Sequence, residues 1–144
     1  MNRKAIVVFL MFIIISSLSL MGCISMQERL GLYKNHDPQY KIKKLVVAKD
    51  VQNKKPIGVS DTFSSNIGKV YCFIMAKDIK QDSEIIVTWY RENKKIHTFT
   101  LPLKKGNMWR TYAWKSISGK KGNWRVVIRD ADRFIYKSAP FTVK

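Results

Sequence analysis

The alternation of apolar and polar residues over the C-terminal two thirds of the chain restricts the possible folds more than any other feature. Phe99 and Leu101, for example, alternate with Thr98 and Thr100, which is the period of two that a half-buried β-strand shows. No convincing helical period interrupts this pattern. The alternation predicts seven strands, at residues 43–51, 68–78, 83–93, 94–103, 109–117, 123–130 and 133–143.

Residues that favour turns separate the predicted strands. They occur at 92–94, 105–107, 118–123 and 130–132, where Gly, Asn and Asp are frequent. The strands themselves are rich in β-branched and aromatic residues, which suit a pleated, half-buried surface. Seven short strands within about 100 residues predict an all-β fold, an antiparallel immunoglobulin-like β-sandwich.

Cys72 on the second predicted strand and Trp89 on the third resemble the cysteine and tryptophan of immunoglobulin domains. The sixth strand has no cysteine, so we expect a core held by packing alone and Cys72 as a buried thiol. An intermolecular disulfide is the alternative for Cys72. The predicted core consists of Val70, Cys72, Ile74, Val87, Trp89, Phe99, Leu101, Trp124, Val126, Ile128 and Phe141.

The N-terminus predicts an exported protein. A basic head, which includes Arg3 and Lys4, precedes an uncharged apolar run at 5–20, the pattern of a secretory signal peptide. The run is short for a membrane span, which needs about 20 mostly apolar residues. Leu20-Met21-Gly22-Cys23 resembles the lipobox of bacterial lipoproteins, although Met21 is bulkier than the usual residue.

The lipobox resemblance implies that residues 1–22 are removed and that Cys23 receives a diacylglycerol. Several acyl chains hold a protein stably to a bilayer. Ile24 is not an aspartate, which favours the outer membrane, facing the periplasm, in a Gram-negative cell. An uncleaved helical anchor with an incidental cysteine is the alternative. Residues 23–42 are interpreted as the lipidated cysteine and a tether, and residues 43–144 as the β-sandwich domain.

The charge of the chain favours an anionic partner. It has 27 basic and 10 acidic side chains, a formal charge of +17, and removal of residues 1–22 would take away two cations and leave +15. Such a charge attracts anionic glycolipids, acidic polymers or acidic envelope proteins. Nucleic acid would also suit the charge, but an exported chain rarely meets it. A lysine-rich, solvated surface without a partner is the alternative.

No catalytic or metal-binding motif stands out. The two histidines, His36 and His97, lack the spacing of shared metal ligands, and no Cys/His cluster accompanies them. The chain has no HExxH, no nucleophile elbow and no phosphate-binding glycine loop. Asp130 and Asp132 are interpreted as part of a hairpin turn. We therefore predict no catalysis, no cofactor and no metal.

A binding surface is the remaining candidate site. If the third, sixth and seventh strands share a sheet with Trp89 facing inward, Thr88 and Tyr90 face outward. Arg125 and Arg129 should then face outward beside Tyr90, and we expect Lys137 to join them. Aromatic rings stack on sugars, and arginine binds carboxylate or phosphate with two hydrogen bonds. An ordinary solvated face is the alternative.

Several separated segments resemble the bacterial domain-of-unknown-function family 2914. They are "KKPIGVSDTFSSNIGKVYCF", "TWY", "WRTYAWKSI" and "GNWRVVIRDAD" followed by "FTV". The resemblance runs from about Lys43 to the C-terminus. It departs from the family pattern at Val87, where a histidine is frequent, and at Arg133, where a glycine is common. It implies an exported bacterial β domain without an assigned activity.

Together these features predict a membrane-anchored lipoprotein of the cell envelope without catalysis. We expect it to be a binding module for an anionic envelope component or a partner protein. A structural accessory subunit of an envelope complex is one alternative. An enzyme that acts on an envelope polymer is the other.

Overall fold

Nine β-strands form two sheets in the computed structural model, which describes residues 37–144. The predicted signal peptide, Cys23, most of the tether and His36 lie outside the described residues. The strands are β1 (Lys41–Gln52), β2 (Lys55–Val59), β3 (Thr62–Phe63), β4 (Lys69–Ile79), β5 (Ser83–Arg91), β6 (Lys94–Leu103), β7 (Gly106–Ser116), β8 (Gly122–Arg129) and β9 (Ile135–Val143).

The two sheets pack face to face as a β-sandwich. One has four strands in the order β2-β1-β4-β7, and the other has five in the order β3-β9-β8-β5-β6. All neighbouring strands are antiparallel except β3 and β9, which are parallel. The all-β, two-sheet prediction is confirmed. The third, sixth and seventh predicted strands are β5, β8 and β9, and they share a sheet as expected.

The seven predicted strands correspond to β1 and to β4 through β9, whereas β2 and β3 were not predicted. The turn between β1 and β2 consists of Asn53 and Lys54, both with positive φ (49° and 57°), the conformation that joins tight hairpins. Four of the five residues of strand β2 are exposed at the edge of its sheet, so the strand lacks the alternation that a buried face imposes. Strand β3 has only two residues.

The core lies between the sheets and matches the alternation of the sequence. Nine of the eleven predicted core residues are buried, and Phe99 and Leu101 are half-buried because their strand, β6, is the edge of its sheet. Cys72 is fully buried and unpaired, which confirms the prediction of a buried thiol. Burial raises the pKa of this thiol because the thiolate would lose its hydration.

The folded unit begins earlier than the predicted boundary at Lys43. Tyr40 and Ile42 belong to the core, and Pro38–Lys144 forms one compact unit. The Tyr40 ring stacks on Tyr136 at a centroid distance of 4.5 Å, and its hydroxyl donates to the Glu84 carbonyl at 3.1 Å. Two apolar residues within a polar segment were too weak a pattern to reveal this start.

Candidate functional site

The outer face of the five-stranded sheet carries the predicted site. Trp89 on β5 pairs with Val126 on β8, and both side chains are buried between the sheets. Tyr90 and Arg125, the next pair toward the hairpin between β5 and β6, therefore point to the outer face. Arg129 lies four residues farther along β8 and so projects from the same side.

Three of the four predicted site residues form one cluster. The Arg129 Nη1 atom donates a hydrogen bond to the Tyr90 hydroxyl at 3.1 Å. The guanidinium carbon of Arg125 lies 4.9 Å from the centroid of the Tyr90 ring, and that of Arg129 lies 5.9 Å from it. Both distances are within the range of cation–π attraction. We call Tyr90, Arg125 and Arg129 the basic cluster.

The basic cluster also has a packing role. Thr88 and Val127 occupy outer positions opposite one another, yet both are buried. The Thr88 hydroxyl lies 3.3 Å from the Thr98 hydroxyl of β6. Because a tyrosine ring and long arginine stems can cover apolar sheet surface, the cluster shields this part of the strand pair from water. Thr88 therefore occupies an outward position of its strand, as expected, but its side chain is buried.

Lys137 does not join the basic cluster. Its register partner on β8 is Ile128, whose side chain lies in the core, so Lys137 belongs to the opposite side of the sheet. Its ammonium group reaches the carbonyl of Lys43 on β1 at 3.5 Å. Arg129 is the residue after Ile128 and points outward, so Arg129 and Lys137 lie on opposite faces of the sheet. The pairing of β8 with β9 shifts its register after Ile128.

A shallow groove of about 210 Å³ adjoins the basic cluster. The turn between β5 and β6 forms one side of it, and both turn residues, Glu92 and Asn93, have positive φ (46° and 61°). The Glu92 carboxylate accepts the Asn123 backbone N–H at 2.6 Å. The groove thus combines a ring, a guanidinium, two amide side chains and one carboxylate; its lining residues include Tyr90, Glu92, Asn93, Asn123, Arg125 and Pro140.

Acidic residues gather elsewhere, in a cavity of about 270 Å³ that includes Asp82, Glu84, Asp130 and Asp132 in its lining. A hydrogen bond from Lys104, followed by the backbone N–H of Lys105, lowers the pKa of Asp82. Asp130 accepts the Phe134 N–H at 2.9 Å. At least two of these carboxylates therefore stabilise local structure.

The turn predicted at Asp130 and Asp132 is present, and the two family departures have structural correlates. Arg133 follows the turn with a φ of 68°, a conformation that favours glycine. Val87, the other departure, is fully buried in the core. His97 packs edge-on against Phe99 at 4.4 Å. Among residues 37–144 no group of three or more His, Cys, Asp or Glu residues could hold a metal ion.

The outer face of the four-stranded sheet was not predicted from the sequence. Its outward positions carry large apolar side chains, of which four are exposed, one is half-buried and one, Phe73, is buried. We call this surface the aromatic face: Ile57, Val59, Tyr71, Phe73, Tyr112 and Trp114. A signal was present in the sequence, since residues 70–76 are apolar at both odd and even positions. Such a strand has two apolar faces, and only one of them can face the core of a two-sheet sandwich.

Residues 82–143 match the family described as "Protein of unknown function (DUF2914)". The matched segment extends from β5 to β9 and includes the basic cluster. The resemblance was expected from about Lys43, so the match covers the C-terminal part of that range. The family description assigns no activity.

The other comparisons give little more. No curated protein matches the chain. One solved structure that matches part of the chain is a mutant β-glucosidase from Listeria innocua in complex with laminaribiose. The identity is 9% and the TM-score 0.47, over 73% of this chain and 16% of that chain. The chain thus spans about a sixth of that enzyme's length, and the likeness assigns no activity to it. Within the described part of the chain, no helix is long and apolar enough to span a membrane.

Proposed function

We propose that the chain is a lipid-anchored domain of the bacterial cell envelope that binds an anionic envelope component without catalysis. The basic cluster is the observation that carries the proposal. Two guanidinium groups are held on one tyrosine ring at the outer face of a rigid sheet. A surface acting only through its net charge would not require this fixed arrangement.

The guanidinium groups of the basic cluster are available for an anion. Neither Arg125 nor Arg129 has a carboxylate partner within residues 37–144. A guanidinium binds carboxylate or phosphate with two parallel hydrogen bonds, and contact with a ring reduces the side-chain freedom lost on binding. The neighbouring groove offers amide groups and the Tyr90 ring for an attached sugar. A phosphorylated or carboxylated glycolipid combines these two chemistries.

The binding test compares two double variants of the full chain. Arg125→Gln with Arg129→Gln removes the basic cluster, and Lys54→Gln with Lys105→Gln removes two exposed charges from the β1–β2 and β6–β7 turns. Lys104 is unsuitable as a control because it is ion-paired with Asp82 at 2.8 Å. Binding is measured by surface plasmon resonance with immobilised, purified phosphorylated envelope glycolipid. We expect the arginine variant to lose about tenfold or more in affinity beyond the lysine variant. Equal losses would leave only non-specific attraction.

The proposed anchoring is supported by the basic head, the apolar run and the Gly22-Cys23 pair. Cys23→Ala should give an unprocessed precursor that incorporates no labelled fatty acid. A variant that matures and is labelled like the parent would contradict the lipoprotein assignment. Fractionation of the cell envelope, with the parent chain, tests the proposed outer-membrane location.

We also propose that the sandwich is immunoglobulin-like. The pairing of β4 with β1 and β7 supports this, as does the pairing of β8 with β5 and β9. These neighbours correspond to the A-B-E and C-F-G strands of immunoglobulin domains. An experimental structure with different strand neighbours would contradict it.

The acid-lined cavity favours a second candidate, an enzyme that acts on an envelope polymer. Carboxylate pairs perform glycoside hydrolysis when one acts as an acid and the other as a base or nucleophile. Glu84→Gln and Asp132→Asn should then abolish release of reducing sugar from purified envelope polysaccharide. We place this candidate second because Asp82 and Asp130 already have structural hydrogen bonds.

A further inference from the structure

We propose that the aromatic face docks on the surface of an anionic lipid bilayer. This surface belongs to the other sheet from the basic cluster, and the inference rests on the proposed membrane anchoring but not on the proposed anion site. It assigns the two outer faces of the sandwich to different tasks. The aromatic face would orient the domain on the membrane, while the basic cluster remains open to its ligand.

The side chains of the aromatic face suit the interface between lipid and water. Trp114 and Tyr112 are 43% and 46% exposed, and the aliphatic Ile57 and Val59 are 46% and 52% exposed. Contiguous apolar surface of this kind marks an interaction site on a soluble domain. Tryptophan and tyrosine concentrate at headgroup depth because their rings are apolar and their tips are polar.

Cations surround the aromatic face. Lys44 lies opposite Met75 and Arg110 lies opposite the same residue from the other side, so both project from this face. The Lys69 ammonium lies 4.1 Å from the centroid of the Trp114 ring. Neither Lys44 nor Arg110 has a carboxylate partner in the described chain. Such a border is complementary to anionic lipid headgroups.

The carboxylates near this surface are few and engaged. Asp50 lies at its β2 end, where it accepts the Val51 N–H at 2.7 Å and the Gln52 amide at 2.8 Å. Asp78 lies at the end of β4 between Lys41 and Lys77, at 3.2 Å and 3.6 Å. Hydrogen bonding by Lys41 is the main cause that lowers the pKa of Asp78. The lysines therefore offset the charge of Asp78, and the three cations Lys44, Lys69 and Arg110 outnumber the single charge of Asp50.

The composition of the aromatic face favours a lipid bilayer over two other possible occupants, a sugar and a second copy of the chain. Sugars need planar hydrogen-bonding groups beside a ring, whereas Ile57 and Val59 offer only aliphatic surface. A second copy, docked symmetrically, would place the Lys44 and Arg110 of both chains in one interface, and cations without carboxylate partners in an interface are costly. Lipid headgroups and the adjoining acyl region accept both the aliphatic side chains and the cations.

The chain itself brings this surface to the membrane. Pro38 follows Cys23 by 15 positions, and an extended chain spans at most about 3.5 Å per residue. A lipidated Cys23 would therefore keep the start of the domain within about 50 Å of the bilayer. The chain enters the domain through β1, which belongs to the sheet that carries the aromatic face. Docking then requires no long linker.

The experiment uses the full chain reconstituted into vesicles whose acyl chains carry bromine, a contact quencher of tryptophan fluorescence. One vesicle type contains phosphatidylglycerol and the other only phosphatidylcholine. Trp114 is the exposed tryptophan of the described residues. Trp89 and Trp124 are buried, and Trp109 is half-buried against the core on the inward side of β7. We expect marked quenching in the anionic vesicles, weaker quenching in the neutral ones, and loss of most of the difference in Trp114→Phe.

Four further variants, two of which are controls, test the surface without removing its reporter. Tyr112→Glu places a carboxylate on the aromatic face and should abolish the quenching. Ile135→Glu is the matched control, because Ile135 is 47% exposed on β9 of the other sheet, and it should leave the quenching unchanged. Lys44→Gln with Arg110→Gln should lower the docked-to-undocked ratio about fivefold for each removed cation, whereas Lys94→Gln with Lys121→Gln should not.

The outcomes distinguish this inference from the proposed function. Loss of the chain from floated vesicles would contradict the anchoring. Vesicle association without quenching would overturn the docking alone, and a dimer in sedimentation would then identify a second copy as the occupant. Quenching that is equal for Tyr112→Glu and the parent would also overturn it. The basic-cluster variant should dock like the parent, because its substitutions lie on the opposite sheet.

Discussion

The two outer faces of the sandwich differ in the side chains that stand between the sheet and the solvent. On the five-stranded sheet, the basic cluster covers the buried Thr88 and Val127 with side chains that remain hydrated at their tips. On the four-stranded sheet, Phe73 is buried beside Val46 and Tyr112, and Tyr112, Trp114, Ile57 and Val59 stay exposed. Among the described residues the first face leaves Ile135 as an exposed large apolar side chain, whereas the second leaves at least these four.

The difference originates in two strands. In β8 the outward positions include Arg125 and Arg129, on either side of Val127, and the inward positions include core residues. In β4 the inward positions include Cys72, and the outward ones hold Tyr71 and Phe73. Strand β4 is thus apolar on both faces, as strands are when a layer of structure covers each side of their sheet. Among the described residues, only its inward face is covered by such a layer. This contrast favours a role in docking for the four-stranded sheet.

Phe73→Ala should give the largest change in stability. The ring is 1% exposed and lies between Val46 on β1 and Tyr112 on β7 in the register. Loss of a buried phenylalanine costs about 3–5 kcal/mol, from lost burial and the cavity that remains. Urea unfolding of the full chain, followed by circular dichroism, measures it. A cost below about 1 kcal/mol would mean that the face is not packed around this ring.

Cys72 provides a probe of the core between the two faces. Cys72→Ala should lower the free energy of unfolding by about 1–2 kcal/mol, because a small buried side chain is removed. In the parent, a thiol reagent should label Cys72 slowly in buffer and quickly in denaturant. Fast labelling of the folded protein, or a disulfide-linked dimer on a non-reducing gel, would contradict its burial.

The raised pKa of the Cys72 thiol also predicts a pH dependence. The folded state holds the proton more tightly than the unfolded state, where the ordinary value is 9.0. This contribution to stability is therefore full below pH 9 and is lost as the pH rises above that value. Cys72→Ala should flatten this part of the alkaline stability profile, and an identical profile in parent and variant would exclude the effect.

The basic cluster could be predicted from the sequence because side chains alternate between the two faces of a strand. Once one inward residue is known, the direction of every other side chain in the strand follows. Trp89 supplied that reference for Tyr90, and Trp124 supplied it for Arg125. The expectation that Lys137 joins the basic cluster was wrong by the same rule, because Lys137 lies four positions before Phe141, a predicted core residue, and an even spacing places both on the inward side of β9.

The aromatic face could not be recognised by the same reasoning. Alternation identifies the side of a strand that faces the core. It does not say what covers the other side when that side is also apolar. The pairing of β4 with both β1 and β7 was needed to bring Tyr71, Tyr112 and Val59 onto one surface. Strand β2, which contributes Val59, was not predicted, so the surface was incomplete in the sequence.

Tyr90→Phe should have a smaller effect than either core substitution. It keeps the ring between the arginines but removes the hydroxyl that accepts the 3.1 Å hydrogen bond from Arg129. A hydrogen bond of this kind contributes about 1 kcal/mol. Arg129→Gln in the same background should then cost less than it does in the parent. Equal costs in the two backgrounds would show that the hydroxyl and the guanidinium are not energetically coupled.

Val59→Thr should have the smallest effect, and it is the sharpest test of whether the aromatic face is free. The exchange keeps the shape of the side chain and replaces a methyl group by a hydroxyl. Val59 lies on an edge strand and is 52% exposed, so the hydroxyl stays hydrated and the change in stability should be within about 0.5 kcal/mol. Val126→Thr is the matched core control and should cost about 1–3 kcal/mol, because Val126 is fully buried and its hydroxyl would lose water. If Val59→Thr were as costly as Val126→Thr in urea unfolding, another part of the chain would have to cover Val59. The aromatic face would then be an internal interface of the protein and could not dock on a membrane.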